Sequence, residues 1–77
     1  MKRLSMMRKS GLYRVIKLNT DDIELELFLT RIGLYPNEVI YLERTNFYGC
    51  IMKIKNVKWH LDKDLARCVL VSELKGR

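Results

Sequence analysis

Apolar and polar positions alternate in short runs along the chain, and the runs define its elements. Leu12, Tyr13, Val15, Ile16 and Leu18 interleave with Arg14 and Lys17, a β-forming set that predicts a first strand. Asn19, Thr20, Asp21 and Asp22 follow as a helix-start cluster. Asp21 and Glu24 have capping-box spacing, and acids in a first turn suit the helix dipole. Leu25, Phe28, Leu29 and Ile32 fall at i, i+3, i+4 and i+7, one face of a helix, and Ile23 and Leu27 widen the stripe. Residues 23–27 also alternate as a strand would. Gly33 ends the helix, because a left-handed cap suits glycine.

In the turn at residues 34–37, Pro36 fixes φ and Asn37 tolerates a positive φ. Residues 39–44 predict a second strand and 45–49 a loop. Residues 50–55 predict a third strand, with Met52 and Ile54 on one face and Lys53 and Lys55 on the other. Asn56 makes a tight turn. Val57, Trp59 and Leu61 then alternate with Lys58 and His60 in a fourth strand. Asp62 caps one helical turn to residue 67, and residues 68–72 form the last strand. Five short strands with one helix inserted early predict a mainly β fold, a small closed barrel. Trp59, Ile54, Met52, Leu42, Ile40 and Leu29 are expected to be buried together.

With 77 residues, the chain has room for one small core, and a chain this short buries only about 60% of its unfolded surface. The hydrophobic fraction of 48% is enough to fill that core. Residues 1–9, with Lys2, Arg3, Arg8 and Lys9, are expected to be a loosely ordered basic N-terminus, and residues 10–77 the single domain. Arg8 and Lys9 interrupt any signal-peptide core, and no run of 18 apolar residues occurs. Cys50 and Cys68 are too few for a disulfide scaffold and are expected to be reduced thiols in a cytoplasmic protein. The net charge of +6 favours acidic partners.

Candidate chemistry is sparse. His60, Cys50 and Cys68 have no zinc-ligand spacing. His60 has solvent-face parity, and the cysteines suit small buried positions. Asp21, Asp22, Glu24 and Glu26 read as the stabilising acids of a helix start, so no metal and no cofactor is expected. There is no nucleophile elbow and no phosphate loop, which argues against an enzyme. Arg31 and Arg44 have the loop access that an arginine finger acting on a partner GTPase would need, but surface pairing suits them better. Lys53, Lys55 and Lys58 share an outward strand face, with Arg44, Tyr41 and His60 nearby. Such a face suits a nucleic-acid backbone, an acidic protein or, above all, solvent. Leu34, Tyr35, Phe47 and Tyr48 lie in or beside loops, as barrel plugs or as interface anchors.

The stretch from Phe28 to Asn37, with Gly33-Leu34-Tyr35-Pro36 at its heart, resembles the FeoA family, the small cytoplasmic partner of the bacterial ferrous iron transporter FeoB. Ile40 and Leu42, then Gly49 with Met52-Lys53-Ile54, are similar to that family's next strands. Leu61 and Asp64-Leu65-Ala66 resemble the turn before its final strand, here Cys68 to Val71. The likeness covers roughly residues 10–73. Asn37 replaces a usual Gly, Phe28 stands where the family tends to be basic, and the hairpin at Asn56 is about two residues short. The resemblance implies a small SH3-like five-stranded barrel that acts by binding. The same barrel occurs as the C-terminal domain of iron-dependent repressors of the diphtheria-toxin-repressor type, but this chain has no room for their DNA-reading helix-turn-helix.

Together these readings predict a non-enzymatic adaptor. The resemblance supplies its partner, the cytoplasmic GTPase part of a FeoB-type transporter, whose assembly or gating it would support. The alternative is a small basic nucleic-acid-binding barrel using its lysine face. The expected docking surface is an apolar patch of Leu34, Tyr35, Phe47 and Tyr48, bordered by Arg31, Arg44, Lys53, Lys55 and Lys58.

Overall fold

The computed structural model describes residues 1–74. The last three residues of the expected domain lie outside the described residues. Six strands form one antiparallel sheet: β1 (Lys2–Arg3), β2 (Gly11–Leu18), β3 (Val39–Asn46), β4 (Gly49–Ile54), β5 (Val57–Asp62) and β6 (Val69–Glu73), in the spatial order β1-β6-β2-β3-β4-β5. A 3-10 turn (Leu4–Met6) follows β1. Helix α1 (Ile23–Ile32) joins β2 to β3, and helix α2 (Lys63–Arg67) joins β5 to β6.

Two bulges coil the sheet. The β2–β6 register shifts between Val15 and Lys17, and the β3–β4 register shifts between Leu42 and Arg44. An extra residue bends its strand and increases the local twist. The edge strands β1 and β5 do not pair with each other. Helix α2 packs against the 3-10 turn, β4 and β5, and covers that gap.

The core follows strand alternation. Tyr13 and Val15, Ile40 and Leu42, Cys50, Met52 and Ile54, Leu61, and Val69 and Val71 point inward. Ala66, Leu29, Leu34 and Leu4 complete it, and among the described residues no polar or charged residue is buried. Of the six residues expected inside, five are buried. Trp59 is only half-buried, because β5 is an edge strand and its ring packs at the rim of the core.

Lys2 and Arg3 pair with Val71 and Leu70, and Leu4 is fully buried. A two-residue strand with both side chains exposed carries no alternation signal, so the sixth strand was invisible to the pattern.

Helix α1 starts one residue later than the capping-box spacing suggests. Asp22 rather than Asp21 is the cap, its Oδ1 accepting from the Leu25 amide at 3.2 Å. The third helical position is then Leu25, so no capping box forms with Glu24. Gly33 ends the helix at φ 113°, and the Leu34 amide donates back to the Leu29 carbonyl at 2.9 Å. This cap turns the chain inward and buries Leu34. Pro36 and Asn37 then form a turn with φ 77° at Asn37, closed by the Glu38 amide on the Tyr35 carbonyl at 3.1 Å.

The α1 stripe is only partly core. Leu29 is buried, and Leu25 and Ile32 pack beside it. Phe28, on the flank, is 42% exposed, and Ile23 and Leu27 are more so.

Candidate docking surface

The strands β3 and β4 are joined by two residues, Phe47 and Tyr48. The turn is built by Asn46, whose Oδ1 accepts from the Tyr48 amide at 2.8 Å and the Gly49 amide at 3.1 Å. Gly49 has φ 154°, and a Cβ there would press on the Leu61 carbonyl oxygen and lie 2.8 Å from the Asp62 Cα. The hairpin therefore approaches β5 closely only because position 49 lacks a side chain. The Lys63 amide donates to the Tyr48 carbonyl at 2.9 Å, tying the turn to the start of α2.

This frame holds two aromatic rings out into solvent. Phe47 is 76% exposed and Tyr48 77% exposed. The rings meet edge to face, centroids 5.4 Å apart at 84°. Lys63 Nζ stands over the Phe47 ring, 4.9 Å from its centroid, within range of a cation–π attraction.

The expected single patch is divided in two. The Phe47–Tyr48 turn precedes the first residue of β4, and Lys55 follows its last. Five steps of about 3.4 Å separate Gly49 from Ile54, so the two turns lie ~17 Å apart. At the far turn, Lys55 Nζ donates to the Tyr35 hydroxyl at 2.7 Å and sits 5.3 Å from its ring. That hydrogen bond, with the electrostatic pull of the Tyr35 oxygen and of the nearby Glu38 carboxylate, pushes the Lys55 ammonium pKa up. Tyr35 is half-buried, and Arg31 is exposed in the last turn of α1. Leu34 contributes nothing to a surface, because the helix cap folds it into the core at 0% exposure.

Between the two turns runs the outer face of β3, β4 and β5. Register aligns Tyr41 with Lys53 and Lys53 with Lys58, then Arg44 with Ile51 and Ile51 with His60. The bulge sets Glu43 on this same face. Its carboxylate lies 3.9 Å from Lys53 Nζ and 3.6 Å from Lys58 Nζ. The lysine face is thus partly neutralised from within. Glu43 was missed from the sequence, although the paired polar residues Glu43 and Arg44 interrupt the alternation and mark the bulge. Lys63 was missed as well, since only the fold brings α2 to the hairpin.

The soft candidate ligands lie apart. Cys50 is buried opposite Leu61, and burial pushes its thiol up to about 11. His60 is exposed on the opposite face of the sheet, paired with Ile51. The Cys68 thiol, after α2, donates to the Asp64 carbonyl at 3.5 Å. Asp21, Glu24 and Glu26 are exposed at the start of α1, and Asp22 is spent on the cap. Among the described residues, no three His, Cys, Asp or Glu side chains group as a metal site requires. Among them also, no helix is long and apolar enough to cross a membrane.

A family model described as the FeoA domain matches residues 2–73. The match begins eight residues before the start expected from the sequence, which agrees with the anchoring of Lys2, Arg3 and Leu4 in the fold. The crystal structure of an iron uptake regulatory protein (FeoA) superposes with a TM-score of 0.83 at 25% identity, covering 94% of this chain and 96% of that one. The NMR structure of an FeoA-like protein from Clostridium acetobutylicum gives 0.81 at 18% identity, covering 99% and 90%. The chain also overlays part of a longer protein, ScaR with bound Cd2+, at 0.84 and 17% identity, covering 95% of this chain and 36% of that one. At that identity the likeness is one of fold. No curated protein sequence matches the chain.

Proposed function

Because the chain belongs to the FeoA domain family, we propose that it is a non-enzymatic adaptor that docks on the cytoplasmic GTPase part of a FeoB-type ferrous iron transporter and supports its assembly or gating. The observation that carries this reading is the rigid aromatic pair Phe47–Tyr48, held out by the Asn46 turn and Lys63. An exposed aromatic pair with cations around it has the make-up of an interface anchor with a charged rim. Arg44, Lys53 and Lys58 extend that rim along the sheet, and Tyr35, Lys55 and Arg31 lie at its far end. Iron enters this reading as the transporter's cargo, carried without a ligand from this chain.

The alternative, nucleic-acid binding by the lysine face, is weakened by Glu43. A carboxylate between Lys53 and Lys58 repels a phosphate backbone while offsetting the two charges meant to attract it.

The test is calorimetric titration of the full chain into the transporter's cytoplasmic GTPase part at physiological salt, in each nucleotide state. Saturable binding in at least one state is expected. Absence of binding there, together with failure to co-purify with the intact transporter, overturns the reading.

A further inference from the structure

A pocket of about 310 Å³ opens between the 3-10 turn and the base of the β3–β4 hairpin, lined by Ser5, Arg8, Thr45, Asn46, Phe47 and Lys63. Register places Thr45 in a row with Cys50 and Leu61, facing the interior. Its Oγ1 is buried and finds no hydrogen-bond partner among the described residues. Native folds leave few such groups, since each one costs free energy. Arg8 and Lys63 form no ion pair among the described residues. The Asn46 Oδ1 is already taken by two backbone amides, which leaves the side-chain amide nitrogen as the group to offer. The lining is therefore a set of donors: two cations, two hydroxyls and an amide, with no carboxylate among them.

We propose that this pocket binds an oxyanion, a phosphate or a carboxylate group, through Arg8, Lys63 and the Thr45 hydroxyl. An oxyanion answers all three at once, and charge-assisted hydrogen bonds are the stronger kind. Phe47 forms one wall, so the ligand sits beside the aromatic turn. The inference rests on the pocket alone and does not depend on the identity of any protein partner.

The probe is inorganic phosphate, titrated into the full chain at constant ionic strength while backbone amide resonances are followed. Saturable shifts are expected at Ser5, Arg8, Thr45, Asn46 and Lys63, with Lys53, Lys55 and Lys58 moving only linearly. A parallel acetate titration separates the two sources: tighter phosphate binding assigns a phosphate group, and equal or tighter acetate binding assigns a carboxylate. Thr45→Val keeps the shape and removes the hydroxyl. It should weaken the tighter anion about tenfold while leaving the thermal midpoint unchanged or raised. Arg8→Gln and Lys63→Gln, both at exposed positions, should each weaken it similarly and keep the test decisive if the Val variant misfolds. Linear shifts throughout, or normal affinity in all three variants, would show an adventitious ion only and overturn the proposal.

Discussion

Truncating Phe47 and Tyr48 to Ala tests the docking surface most directly. Each ring is about three-quarters exposed. An aromatic side chain buries ~150–250 Å² when covered, so each has roughly 110–190 Å² left to bury on a partner. At about 25 cal/mol per Å² this is worth roughly 3–5 kcal/mol before ordering costs. A loss of about 2 kcal/mol per truncation, near thirtyfold in Kd, is the expected result. Folding should hardly change. Phe47→Ala forfeits the edge-to-face contact and the Lys63 cation–π contact, together of the order of 1 kcal/mol. Leu34→Ala is the opposite case. That side chain is fully buried, and its truncation should cost about 2–5 kcal/mol. A domain of this size has only roughly 4–12 kcal/mol to lose. The assay pairs calorimetric affinity with urea unfolding for each variant. If Phe47→Ala and Tyr48→Ala both fold and both bind within threefold of the parent, the aromatic turn is not the anchor. If Tyr41→Ala is the variant that loses binding, the anchor lies on the sheet face.

Gly49→Ala should destabilise by about 2–6 kcal/mol, combining backbone strain with displacement of β5; an unfolding midpoint near the parent's would show that the hairpin yields. Asp22→Ala should cost about 1 kcal/mol and Asp21→Ala less than half of that, measured by urea unfolding, because only Asp22 caps α1. Cys50 is raised by burial from 9.0 to about 11, so the fold favours the protonated thiol. Stability is then full below about pH 9 and falls by roughly 2–3 kcal/mol as pH rises to about 11. Tyr13, raised by burial and next by Glu73, adds a further alkaline loss. Unfolding between pH 8 and 11 should show the first loss in the parent and not in Cys50→Ala, and at pH 8 a thiol reagent should label Cys68 well before Cys50.

Strand alternation made most of the fold legible. Met52 and Ile54 against Lys53, or Leu61 against His60, could be assigned to faces from sequence because a period of two leaves no freedom once one face is buried. The helix end was legible for a similar reason, since Gly33 and Pro36 allow few backbones. What stayed hidden depends on distance across the fold. Leu34 reads as a loop residue until the cap turns it inward. Phe28 reads as core until α1 is seen to rest on Leu25, Leu29 and Ile32 alone. The exposed aromatics were expected, but their separation from Tyr35 follows from the length of β4, which no local pattern encodes. Glu43 was hidden by a bulge and Lys63 by the packing of α2, so the site's electrostatics were the least readable part.

The exposure of Phe47 and Tyr48 is imposed by geometry. A two-residue turn has no slack, Gly49 seats it against β5, and the Tyr48 carbonyl is tied to the Lys63 amide, so the backbone that carries the rings cannot fold back onto the core without breaking the ladder. Docking then orders side chains only, at roughly 0.5–1.5 kcal/mol each, rather than a loop. A second exposed apolar surface, Ile23, Leu27 and Phe28 on α1, is set in different charge. Asp21, Asp22, Glu24 and Glu26 surround the start of that helix, whereas Arg8, Arg44 and Lys63 lie around the aromatic turn, where Asp62 is engaged as the α2 cap and Asp64 stands beside Lys63. An acidic partner is therefore disfavoured at the start of α1. An acidic partner selects the hairpin tip, and a chain carrying +6 favours acidic partners from the first encounter.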